Sequence, residues 1–179
     1  MLSRRILGVG LAALVASGRP ATAQRLRVEV WRDPSCGCCS GWVEHLRGEG
    51  FVVEDRVVPS VAPFRRLLGT PADLLSCHAA RVASIAPEAR RGIAPEARRG
   101  IAPEARGGLA LEGHVPALAI RRLLAERPGG VVGLAVPAMP VGSPGMEVPG
   151  RKPDTYDVIA WSADGTQRPF MRFAGTRPA

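Results

Sequence analysis

The chain's four cysteines fall in only two places: Cys36, Cys38 and Cys39 form one cluster, and Cys77 is followed directly by His78. Isolated core cysteines would be scattered among apolar neighbours. The cluster instead is bracketed by Pro34, Gly37 and Gly41, the composition of a loop running into a helix. At a helix N-terminus the unpaired N–H groups and the dipole favour the thiolate, the form that binds metal or attacks a disulfide. Three chemistries fit. Two structural disulfides would suit the even count, Cys36 with Cys39 and Cys38 with Cys77, because adjacent Cys38 and Cys39 point apart. A redox dithiol would use the Cys36-x-x-Cys39 pair alone. Metal binding is preferred, because neither alternative explains a third thiol inside the motif.

Ligand softness narrows the metal to Cu(I), Zn(II) or an iron–sulfur cluster. Zinc usually takes its ligands from two separated cysteine pairs, and three-plus-one thiols with two adjacent would crowd a single ion. Several Cu(I) ions bridged by shared sulfurs relieve that crowding. The expected cargo is therefore Cu(I), as a multinuclear cluster on Cys36, Cys38, Cys39 and Cys77, with zinc as the alternative. His78 beside Cys77 and His114 in the stretch EGHVP are further candidates to ligate or shield the metal. Met139 and Met146 lie in a Pro/Gly-rich loop and offer thioether sulfur to Cu(I), or simply fill space. His45 reads as a surface residue, and Asp33 and Pro34 as loop-shaping. Val115-Pro116 and Val136-Pro137 are candidates for a cis bond near the site. No residue is assigned a catalytic role.

These groups need a scaffold. Leu26 to Trp31 alternates as a strand should and runs into the cysteine loop. Trp42, Val43 and Leu46 then mark a short helix ending at Gly48 or Gly50. Phe51 to Val58 reads as a second strand, Val61 to Leu68 as a helix, and Pro116 to Glu126 as another, with Leu118, Ile120, Leu123 and Leu124 on its apolar side. Tyr156 to Trp161 and Gln167 to Phe173, joined by Ala163-Asp164-Gly165, read as a hairpin. This order predicts an α/β fold, a mixed sheet flanked by helices with a C-terminal β-hairpin.

Two segments stand apart from that domain. Residues 1–23 carry Arg4 and Arg5, the apolar stretch Ile6 to Ala16 and a closing Ala21-Thr22-Ala23, the pattern of a cleaved secretory leader. The twin arginines leave both the general and the twin-arginine export routes open. The apolar stretch is short for a membrane span, so no stable anchor is expected after cleavage. Residues 84–107 read SIAPEARR, GIAPEARR, GIAPEARG, three near-identical octads in which one Ile per repeat offers little core. They are read as a surface insertion in a single domain, residues 24–179. The formal net charge of +8 hints at an anionic partner. The leader carries three of those charges and the octads two, so the balance gives little support to nucleic-acid binding. Export also argues against an iron–sulfur cluster, since the compartment is oxidising.

The stretches DPSCGCCSGWVEHL (33–46), LLSCHAARV (74–82), LEGHVPALAIRRLLAERPGGVVGLAVPAMPVGSPGMEV (111–148) and YDVIAWSADG (156–165) together resemble the CopG-type exported metal-binding proteins of bacterial copper resistance. The resemblance covers nearly all of the chain after the leader except the octads, which lengthen a connection that is short in that family. It implies a thioredoxin-like fold, with Cys36, Cys38, Cys39 and Cys77 holding a thiolate-bridged copper cluster. It also implies a periplasmic role in copper handling, with redox interconversion of Cu(I) and Cu(II), alongside other copper-resistance proteins. Two function classes follow: a copper-binding module, and a thiol–disulfide or copper oxidoreductase using Cys36-x-x-Cys39. The binding module is preferred over an enzyme.

Overall fold

The computed structural model describes residues 26–83, 108–126 and 128–179; the leader (1–23) and the octads (84–107) lie outside the described residues. The described elements run β1 (Arg27–Arg32), α1 (Gly37–Gly48), β2 (Val52–Val57), α2 (Ala62–Leu68), a 3-10 turn (Ala72–Leu74), β3 (His78–Ala83), β4 (Gly108–Glu112), α3 (Ala117–Glu126), β5 (Val131–Ala135), β6 (Thr155–Ser162), β7 (Gln167–Ala174) and β8 (Arg177–Pro178). One mixed sheet collects the strands in the order β2-β1-β3-β4-β5-β6-β7-β8. β1 and β2 are parallel, as are β4 and β5, and the other neighbours are antiparallel.

Helices cover both faces. In α1 the buried residues Cys39, Trp42, Val43 and Leu46 recur at helical spacing, and Trp42, Val43 and Leu46 share one core with Val28 and Val30 of β1. Ala117, Ala119, Ile120 and Leu123 of α3 join the same core. On the opposite face Trp31, Ala79, Ala110 and Trp161 pack with Val61 and Leu68 from the α2 region. Helix α2 carries a proline in its first turn and stops at Gly69, whose left-handed φ of 66° closes the helix.

Strands β3, β4 and β5 were not marked by alternation. They lie at the centre of the sheet with both faces covered, so their buried positions run consecutively and the two-residue period that flags a half-exposed strand is absent. Ala83 and Gly108, which flank the octads, are register partners in the β3/β4 pair. No cis peptide bond occurs among the described residues, so Val115-Pro116 and Val136-Pro137 are trans, contrary to the sequence-based candidacy.

Candidate metal centre

The register places the chemistry at one end of the sheet. Arg32, the last residue of β1, pairs with His78, the first of β3, and Glu112 and Ala135 close β4 and β5 at the same end. Cys36 caps α1, Cys77 immediately precedes β3, and His114 follows β4. The four cysteine sulfurs lie within 4.8 Å of one another.

Cys36 and Cys39 are joined in a disulfide, whereas Cys38 and Cys77 are free thiols. The second disulfide that an even count would allow is therefore not formed. Cys38 Sγ lies 3.5 Å from Cys36 Sγ and 3.9 Å from the Met139 thioether. Cys77 Sγ lies 3.3 Å from His78 Nδ1 and 3.1 Å from His114 Nε2. Both histidines are fully buried. His114 Nδ1 is 2.6 Å from the Pro144 carbonyl oxygen. That oxygen can only accept, so Nδ1 carries the proton and Nε2 presents a lone pair toward Cys77. Metal-binding histidines are commonly oriented in this way.

Burial dominates the electrostatics. It pushes the Cys77 thiol up to about 12, with the Cys38 sulfur adding to the effect. The thiol is thus protonated without metal, and a metal ion must displace that proton to bind. Burial also holds His78 well below its ordinary value, with repulsion from His114, Arg65 and Arg32 acting in the same direction. His114 is lowered by burial too, against the opposing pull of the Pro144 bond and Glu147.

Met146 sits in the loop after β5 and closes it through its backbone, donating to Ser143 O and accepting from Gly142 N–H. His45 departs from the surface role read from sequence: it is half-buried, and its Nε2 accepts the Ala117 N–H at the start of α3 at 3.2 Å. Burial lowers its pKa, partly offset by Glu49 and Glu147. All three histidines therefore favour the neutral form when folded. Below the unfolded value of about 6.5 the unfolded chain binds more protons, so stability falls with falling pH. The loss reaches up to about 1.4 kcal/mol per pH unit for each imidazole until its folded pKa is passed. We expect urea midpoints of the metal-free protein to drop from pH 7 to pH 5, with a shallower drop in His45→Gln, whose amide oxygen can still accept from Ala117. A flat profile would contradict the buried neutral assignment.

The residues that brace the site were not assigned from sequence. Glu112 is fully buried, accepts Arg65 Nη2 at 2.7 Å and Nε at 3.0 Å, and accepts the Ser76 N–H at 2.8 Å. Arg65 also donates to the Ser76 carbonyl, and Ser76 Oγ donates to Ala138 O at 2.7 Å. Ser76 is therefore tied on three sides just before Cys77, and its last bond reaches the residue before Met139. The Trp42 indole donates to Val115 O at 2.9 Å, and its ring lies 4.3 Å from that of His78. Glu112 ends the strand GLALE, and an acid in an otherwise apolar strand is a signal that a buried cation partner is required.

Fold and site together define an α/β protein with a cysteine and histidine group compatible with metal binding. Solved structures of copper resistance protein CopG are similar along almost the whole chain. Form 1 is 33% identical with a TM-score of 0.66, covering 85% of this chain and 100% of that one. Form 2 is 33% identical with a TM-score of 0.65, covering 84% of this chain and 99% of that one. A family described as a protein of unknown function, DUF411, matches residues 104–146. No curated protein matches. The chain belongs to the CopG-like copper-resistance family.

Proposed function

We propose that the protein is an exported copper-binding protein that holds Cu(I) as a multinuclear thiolate cluster on Cys36, Cys38, Cys39 and Cys77, in the periplasm once residues 1–23 are removed. The observation that carries this reading is the convergence of all four sulfurs within 4.8 Å, close enough to bridge soft ions. Cluster formation takes the reduced chain: an external dithiol reductant gives two electrons and two protons to the Cys36–Cys39 disulfide and is itself oxidised to a disulfide, and each protein thiol then gives up its proton as metal binds. Met139 beside Cys38 offers a thioether at the exposed side, and His78 and His114 close the buried side. Met146 is assigned the lesser role of shaping the loop. A thioredoxin-like core is supported by the order β2-β1-β3-β4, the parallel β1/β2 pair and a CxxC motif at the start of α1. The octads are assigned as a surface insertion in one domain, because the strands on either side stay paired.

The test is anaerobic Cu(I) titration of the reduced protein lacking residues 1–23, with metal analysis, repeated on Cys77→Ser. Saturation well above one copper per chain, lost in the variant, is expected. A single tetrahedral zinc in place of copper would overturn it. The formed Cys36–Cys39 disulfide favours one second reading, a thiol–disulfide or copper oxidoreductase. Such a dithiol enzyme should keep its turnover when Cys38 and Cys77 are replaced, whereas the cluster should lose copper with either.

A further inference from the structure

Oxidation of Cys36 and Cys39 leaves only two free thiols, so the four-thiolate group does not exist in the disulfide form. A different donor set survives it. Cys39, Cys77, His78 and His114 also place their ligand atoms within 4.8 Å of one another. With Cys39 bound to Cys36, three usable donors are left: the Cys77 sulfur and one nitrogen from each histidine.

We infer that the Cys77–His78–His114 corner is a second metal site, one that takes a single borderline divalent cation such as Zn(II) when the Cys36–Cys39 disulfide is closed. One sulfur and two imidazoles suit borderline divalent ions better than Cu(I). The spacing fits: zinc bonds of about 2.3 Å to sulfur and about 2.0 Å to nitrogen set a tetrahedral S···N pair about 3.5 Å apart. The observed separations are 3.3 Å to His78 Nδ1 and 3.1 Å to His114 Nε2, hydrogen-bond distances that open to coordination with slight side-chain rotation. His114 is already oriented, its Nδ1–H donating to Pro144 O. His78 is fully buried, and among the described residues its Nε2 has no hydrogen-bond partner while its Nδ1 faces Cys77. A ligand at Nδ1 requires the tautomer that keeps the proton on Nε2, which leaves the Nδ1 lone pair facing Cys77. The fourth coordination position is left to water.

The two sites share Cys77, so their occupants exclude one another, and the state of the Cys36–Cys39 pair selects between soft Cu(I) and a divalent ion. The inference concerns the same site as the Cu(I) reading, but it does not depend on that reading.

Co(II) is the probe, because it does not oxidise thiols and reports its ligands in its spectrum. The protein lacking residues 1–23 is prepared without reductant, its two free thiols are verified by titration, and it is titrated anaerobically with CoCl2, followed by displacement with ZnCl2. We expect one equivalent, tetrahedral d–d bands and a sulfur-to-cobalt charge-transfer band. His114→Ala should weaken binding at least tenfold, and Cys77→Ser should abolish the charge-transfer band. Cys77→Ser changes one partly exposed atom, so it also serves if the alanine variant fails to fold. Absence of Co(II) binding by the folded disulfide form, or binding unchanged in folded Cys77→Ser, would overturn the inference. Cu(I) loading of the reduced protein is measured in parallel. Its success beside a cobalt failure sinks the divalent site alone, and its failure beside cobalt binding sinks the Cu(I) cluster alone.

Discussion

Gly145→Ala is expected to destabilise the protein by about 2–5 kcal/mol and to weaken metal loading with it. The residue has φ of +84°, and a Cβ there would lie 2.4 Å from Trp42 N, 2.8 Å from Cys38 O and 2.8 Å from the Gly41 carbonyl carbon. Every one of those atoms is backbone of α1, so no flexible side chain can yield. The left-handed conformation costs a non-glycine residue about 1–2 kcal/mol. Forcing the loop off the helix adds about 1–3 kcal/mol more. The sum is a large part of a typical stability of about 5–15 kcal/mol. The displaced loop carries Met139 toward Cys38 and the Pro144 carbonyl that orients His114. Gly48→Ala is the control, since a Cβ there meets nothing within 4 Å and the backbone is helical. Urea unfolding should show a lowered midpoint for Gly145→Ala and none for Gly48→Ala. A loss below about 1 kcal/mol at Gly145 would mean that loop and helix are not in contact as described.

Arg65→Ala should cost about 3–5 kcal/mol, the usual result of stranding one partner of a buried ion pair. Glu112 would keep the Ser76 N–H but lose its guanidinium, and Ser76 would lose the donor to its carbonyl. Burial already raises the Glu112 pKa, with the Arg65 bonds opposing it, so removing Arg65 raises it further. A carboxyl whose folded pKa stands above its unfolded value destabilises the fold increasingly as pH rises past the unfolded pKa. Protonation as pH falls through the folded pKa removes the penalty. The variant's deficit relative to the native chain should therefore shrink at acid pH. Arg65→Ala combined with Glu112→Gln should recover part of the loss, because a neutral amide still accepts from Ser76. Equal deficits at all pH values, with no recovery in the double variant, would show that Arg65 acts through packing alone.

Much of the scaffold was readable in the chain. Residues 39, 42, 43 and 46 carry the helical period of α1, which has one face in the core and one nearer solvent, and β1 alternates through Val28 and Val30 before Trp31 enters the core on the opposite face. The junction between them placed three cysteines at a helix start. Central strands β3 to β5 carry no two-residue period for the opposite reason, having no solvent face. The half-buried place of His45 lies beyond what helix periodicity shows, because that period locates a residue relative to its own helix and does not say that α3 begins beside it.

By itself, the sequence determined which groups are available: a Cys-x-Cys-Cys cluster at a strand-to-helix junction, a Cys-His pair, and histidine and methionine motifs farther on. Which of these meet was decided by tertiary structure. Cys77 touches His114 across 37 residues, and Cys38 touches Met139 across 101. Such meetings depend on strand order, on the register that aligns the ends of β1, β3, β4 and β5, and on the close passage of Gly145 over Gly41. Local periodicity records only whether a face is buried. The partner of a buried face, and the ion pair that allows an acid to stay there, are set by packing between elements far apart in the chain.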